Sequence, residues 1–100
     1  MREADIEARL IRGVKALGGK AYKFVSPGHG GVPDRIVILP GGRIVFVELK
    51  TETGRLSGVQ RFELGCLEAL GCETKVLYGL DAVNYFLTEC RKELNSHVSE

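Results

Sequence analysis

Apolar residues recur at helical spacing at the start of the chain, where Ile6, Leu10, Val14 and Leu17 mark one side of a helix over residues 3–17. Gly18-Gly19 ends it. The period then shortens. Residues 20–25 alternate enough for a short strand, and Ser26-Pro27-Gly28-His29-Gly30-Gly31-Val32-Pro33 is a loop built of structure-punctuating residues. Residues 34–39 and 43–50 are rich in β-branched side chains and flank Pro40-Gly41-Gly42, which makes them a hairpin. A polar loop over 51–56 leads to Ser57, which opens a second helix reaching about Leu70 and closed by Gly71. Residues 73–78 form a fourth strand, and Asp81 caps a last helix to about Leu94, leaving 95–100 frayed.

The order is therefore α-β-β-β-α-β-α, an α/β fold. A strand, helix, strand crossover joins the third and fourth strands, which predicts that they lie parallel and that the connection is right-handed. With an antiparallel hairpin before it, the sheet is mixed and four-stranded, with helices flanking its faces.

Composition narrows the setting without naming a function. One hundred residues, 44% hydrophobic and 27% charged, make one soluble domain with one modest core. No apolar run approaches the roughly 20 residues of a membrane helix, and the charged start Met1-Arg2-Glu3-Ala4-Asp5 lacks a signal region, so a cytoplasmic protein with no membrane partner is expected. Cys66, Cys72 and Cys90 are odd in number and form no CxxC pair, which points to buried thiols rather than disulfides or zinc. The net charge of +1 hides an asymmetry: residues 1–61 carry eleven Lys or Arg against six acids, and 62–100 carry three against seven. A basic first half fits a phosphate backbone as partner, although scattered solvated charges produce the same imbalance.

The chemistry-bearing stretch is Pro33-Asp34-Arg35 followed by Glu48-Leu49-Lys50. Along the third strand Ile44, Phe46, Glu48 and Lys50 share one face, and Val45, Val47 and Leu49 share the other. Two charges closing an apolar face are costly unless paired or bound to metal. The alternative is a salt bridge between Glu48 and Lys50 or Asp34. Hairpin parity discriminates. A two-residue Gly41-Gly42 turn would set Asp34 opposite Leu49 and aim it away from Glu48. A shared carboxylate site requires an odd-length loop or a single bulge, and the two glycines favour a three-residue loop. Asp34 and Glu48 would then make a hard oxygen site for Mg²⁺ or Mn²⁺ beside Lys50, which is what phosphodiester hydrolysis needs.

Pro33-Asp34 and Glu48-Leu49-Lys50 in an αβββαβ order resemble the PD-(D/E)xK nuclease superfamily, whose core is that of restriction endonucleases. Gly31-Val32-Pro33-Asp34-Arg35, Phe46-Val47-Glu48-Leu49-Lys50 and Gln60 are similar to its VRR-NUC family, in the stand-alone phage and bacterial type. The resemblance implies one nuclease domain over residues 1–100 with its core over 3–94. It implies Asp34 and Glu48 as metal ligands, the Leu49 backbone carbonyl as a third, and Lys50 as the catalytic lysine. The family's acid on the first helix maps best to Glu7, acting directly or through water, with Glu3 one turn earlier as the weaker match and a plain surface role open for either. Gln60 belongs to the catalytic set by this resemblance, and it equally fits a capping box with Ser57.

Lys23, Arg35, Arg55 and Arg61 are the expected DNA contacts, with Tyr22 and His29 as further candidates; for each an ordinary surface or packing role is at least an equal reading, and Arg35, directly after Asp34, is the favoured contact. The family resemblance also implies branched DNA as substrate and a homodimer that resolves four-way junctions. The last helix, with Val83, Tyr85, Phe86, Leu87 and Cys90, offers apolar surface for a dimer or for the core. Two other readings stand beside the enzyme. One is a nucleic-acid-binding module without catalysis; the other is a metal-free domain whose charged trio is only a salt bridge.

Overall fold

The computed structural model describes residues 1–98 and shows the expected order of elements: α1 (Glu3–Ala16), β1 (Lys20–Lys23), β2 (Arg35–Ile38), β3 (Ile44–Lys50), α2 (Gly58–Ala69), β4 (Glu73–Tyr78) and α3 (Gly79–Val98). The four strands form one sheet in the order β1-β2-β3-β4. The β1–β2 and β2–β3 pairs are antiparallel, and β3–β4 is parallel. The strands before and after the loop are shorter than their sequence pattern suggests, but pairing persists beyond β1, where the Phe24 N–H donates to the Asp34 carbonyl at 2.9 Å.

The two sheet faces are unequal. Val37, Val45, Val47, Leu49 and Leu77 point to one side and meet Ile6, Leu10 and Val14 of α1 with Val83, Phe86, Leu87 and Cys90 of α3. All of these are nearly inaccessible to water, so this layer supplies most of the apolar burial that stabilises the domain. The helix α2 is associated with β4 and buries Leu64 outside that cluster. The rest of the opposite face stays partly open: Ile44 and Tyr22 are exposed, and the rings of Phe24 and Phe46 lie 5.7 Å apart.

This layering decides the use of the apolar residues of α3 in favour of the core. Val83, Phe86, Leu87 and Cys90 are core, and of the five residues considered for a dimer surface only Tyr85 is exposed. The helix also continues to Val98 instead of fraying after Leu94, because nothing from Arg91 to Val98 is a glycine or proline that would stop it. Ser99 and Glu100 lie outside the described residues. Asp81 sits in the first turn of α3 rather than preceding it, where a negative charge still complements the helix dipole. Among the cysteines, which are all free, Cys90 is buried while Cys66 and Cys72 are half-buried. No helix among the described residues is long and apolar enough to cross a membrane.

The hairpin has the parity a shared site requires. Leu39 and Arg43 close the turn, with the Leu39 N–H donating to the Arg43 carbonyl at 2.9 Å, and Pro40, Gly41 and Gly42 form a three-residue loop. Gly41 and Gly42 both have positive φ, +90° and +87°, which any other residue would adopt only under strain. Arg35 consequently pairs with Val47 and Ile38 with Ile44, so the next position out sets Asp34 opposite Glu48. At the other end of β3 the sheet is tied by a network that no sequence pattern announced. Arg43 donates to Glu73 on β4 at 2.9 Å and to Glu93 on α3 at 2.7 Å.

Candidate functional site

Among the described residues Glu48 is the one buried charged side chain, 2% exposed near the end of β3. A carboxylate there must be held, and two donors reach it. Lys50 Nζ lies 3.5 Å from Glu48 Oε2, and Gln60 Nε2 donates to the same oxygen at 3.2 Å. Gln60 is itself locked by the start of α2: its N–H donates to Ser57 Oγ at 3.1 Å, and its Oε1 accepts from the Ser57 N–H at 2.9 Å. The capping box and a place for Gln60 beside Glu48 are therefore compatible. The capping box uses the amide oxygen and leaves the amide nitrogen for Glu48.

Asp34 is fixed by backbone. Its Oδ2 accepts the Leu49 N–H at 2.8 Å, and its own carbonyl accepts the Phe24 N–H. In a strand the N–H and C=O of one residue leave on the same side, so the Leu49 carbonyl also faces the Asp34 edge.

The electrostatics of Glu48 are those of a buried carboxyl crowded by a second acid. Burial raises the Glu48 pKa, the nearby Asp34 charge raises it further, and Lys50 opposes both; the outcome is a carboxyl pushed up from 4.5 to about 7. Had the trio evolved as a stabilising salt bridge, Lys50 would dominate and hold Glu48 low. Instead two acids are kept together with too little compensating charge, an arrangement that a divalent cation relieves. The donors suit such an ion, being hard carboxylate and carbonyl oxygens. Among the described residues no group of three or more His, Cys, Asp or Glu clusters as a ready cage.

The other candidates are distributed by sheet parity. Arg35 follows Asp34 and so projects to the α1 face, where Glu7 meets it. Arg35 Nε and Nη2 both lie 3.2 Å from Glu7 Oε2, and Nη1 donates to the Ala21 carbonyl at 3.2 Å. This corrects two assignments. Glu7 is engaged with Arg35 rather than with Glu48, and Arg35, 14% exposed, is committed inside the protein instead of being open to phosphate. The helix acid whose charge is felt at Glu48 is Glu3, a small contribution beside those of burial, Asp34 and Lys50. Lys23 is exposed, but it pairs with Arg35 in the ladder and so shares the face opposite Glu48. Arg55, in the loop before α2, and Arg61, on its first turn, are exposed. Tyr22 is exposed beneath Lys20, whose Nζ stands 5.7 Å from the ring centroid.

Sequence reasoning missed the partner of His29. Its Nε2 lies 2.6 Å from Glu63 Oε1 on α2. A lone histidine in a glycine loop carries no signal that selects a carboxylate 34 positions away. A groove of about 880 Å³ is lined by residues that include Arg43, Lys75, Leu77, Tyr85 and Phe86. It runs between β4 and α3 and includes none of the constellation, which fits a site that works on a polymer at an open surface rather than on a small molecule in a cavity.

No protein-family model matches the chain. Over 81 residues it is 48% identical to "Putative nuclease p44" of Acyrthosiphon pisum secondary endosymbiont phage 1, covering 81% of this chain and 87% of that protein. A solved structure described as a VRR_NUC domain matches with a TM-score of 0.81 and 30% identity, covering 86% of this chain and 94% of that one.

Proposed function

This chain belongs to the VRR-NUC family of nucleases, and from that membership we propose that it is a Mg²⁺- or Mn²⁺-dependent DNA endonuclease selective for branched structures. The observation that carries the reading is the convergence of Asp34 and Glu48 beside Lys50, produced by the odd-length hairpin loop. Asp34, Glu48 and the Leu49 carbonyl would hold the cation, with Glu3 near enough to add charge. When bound, the ion supplies Lewis acidity to the scissile phosphate. Lys50 orients the attacking water and offsets the negative charge that builds on the phosphate as the P–O bond to the leaving group breaks. Gln60 fixes the Glu48 carboxylate so that it does not rotate away. Arg55 and Arg61 steer the backbone of the substrate, and Lys23 meets it from the other face.

Four-way junctions are the substrate this reading favours. Resolving one needs two symmetric cuts, and a domain with one site supplies them as a twofold homodimer. Exposed apolar side chains available to a second copy include Phe62 and Leu70 on and after α2, Ile44 on the open sheet face and Tyr85 on α3. Such an enzyme works in the cytoplasm of a bacterium or phage-infected host, where its DNA is.

A labelled four-way junction should be nicked at symmetric positions with Mg²⁺ or Mn²⁺ and left intact in EDTA, by a species of two-chain mass in sedimentation. Equal cutting of linear duplex, flap and single strand would remove the structure selectivity. No cutting of any of them by folded protein would favour a binding module. Asp34→Asn should weaken Mn²⁺ binding at least about tenfold, since a neutral amide is a poorer ligand for a hard cation. Unchanged Mn²⁺ affinity in calorimetry would remove Asp34 from the ligand set.

A further inference from the structure

The loop that delivers Asp34 is anchored to α2 at positions the nuclease reading does not use. Ser26-Pro27-Gly28-His29 is a tight turn: the His29 N–H donates to the Ser26 carbonyl at 3.1 Å, and Gly28 has φ +75°. Proline followed by a glycine at positive φ is the signature of a type II turn, so the chain arrives at His29 in a preset direction. There His29 Nε2–H donates to Glu63 Oε1 at 2.6 Å, joining a largely exposed imidazole to a carboxylate that is only 13% exposed. Two residues later Gly31, φ +87°, lies so close to α2 that a Cβ would stand 2.8 Å from the Val59 carbonyl oxygen. Pro33 is fully buried, and Asp34 follows.

Val59 and Glu63 are one helical turn apart and face the loop, while Gln60 between them reaches Glu48. The first two turns of α2 are thus the common frame for both carboxylates. Gln60 holds one directly, and the loop carries the other. The two acids repel each other, and anchorage of the glycine-rich loop adds to the Leu49 N–H and the Phe24 pairing in opposing an outward swing of Asp34.

We propose that His29 and Glu63 form a clasp that fixes the 26–32 loop on α2 and thereby positions Asp34 for the divalent cation, His29 and Glu63 being positioning residues that do not touch the substrate. This rests on the reading of Asp34 as a ligand. The clasp sets how much of the site is prearranged before the ion arrives, so its loss lowers metal affinity without removing a ligand.

The test compares wild type, Glu63→Ala and Glu63→Gln as full chains. Mn²⁺ affinity is measured by calorimetry, and hydrogen exchange of residues 26–32 is measured in the metal-free protein. Glu63→Ala should speed exchange in the loop and weaken Mn²⁺ binding by about three- to tenfold, the range expected for one charge-assisted hydrogen bond acting through preorganisation. Its cleavage rate should return to the wild-type value at saturating Mn²⁺, with KM for DNA unchanged, which a general loss of stability would not produce. Glu63→Gln keeps an acceptor oxygen for His29 and should behave nearly as wild type. Unchanged loop exchange and Mn²⁺ affinity in Glu63→Ala would overturn the clasp, as would Glu63→Gln failing as badly as alanine. A wild type that takes up no Mn²⁺ would overturn the ligand role of Asp34, while the exchange measurement still decides whether the clasp holds the loop.

Discussion

Lys50→Ala should lower single-turnover cleavage by about a hundred- to ten-thousandfold at saturating Mn²⁺, with the fold and DNA binding retained. Lys50 is the last residue of β3, and its ammonium approaches the Glu48 carboxylate at 3.5 Å, so its charge is held at the reaction centre rather than spent on a distant acid. Truncation removes a group that acts on developing charge in the transition state and little that supports the core, since the apolar layer lies on the other face of the strand. Rate and stability should therefore part company. Circular dichroism melts should shift by only a few degrees, and a gel shift with junction DNA in Ca²⁺ should be nearly unchanged. Full activity in the variant would remove Lys50 from the chemistry.

Glu48→Gln should abolish metal-dependent cleavage and, in EDTA, make the protein more stable at pH 8. Burial and the Asp34 charge raise the Glu48 pKa from 4.5 to about 7, so between those values the folded state holds a proton that the unfolded chain has released. Stability then falls as pH rises through this window and is lowest, from this group, above pH 7. The shift corresponds to about 3 kcal/mol. Glutamine is uncharged throughout and cannot incur that loss, so its melting temperature should stay nearly flat from pH 5 to pH 8 where that of wild type declines. The same pKa makes protons compete with the ion. Wild-type Mn²⁺ affinity should drop as pH falls below about 7, approaching tenfold per unit, and calorimetry at pH 6 and 8 measures it. A pH-independent affinity would mean that Glu48 is ionised throughout, or is not a ligand.

These two residues were legible without a structure because they sit on one strand. Strand alternation places Glu48 and Lys50 together, and it also tells which hairpin loops can bring Asp34 to them. Ser57 with Gln60 was legible for the same reason, since a capping box spans three residues. Glu7 and Arg35 were not. Each looked available on its own element, and only the packing of α1 against the Val47 and Leu49 face brings them together and takes Arg35 out of solvent.

By itself the chain determined the element order, the capping box of α2, the mixed sheet and the demand for an odd hairpin loop, because these follow from backbone preferences and alternation over a few neighbouring residues. The tertiary structure decided the rest. It joined Glu7 to Arg35, chose core over dimer surface for the apolar stripe of α3, set Arg43 between Glu73 and Glu93, and joined His29 to Glu63. Each of those is a contact between segments distant in sequence. Which side chains meet there depends on which sheet face each helix covers, and no local pattern encodes that choice.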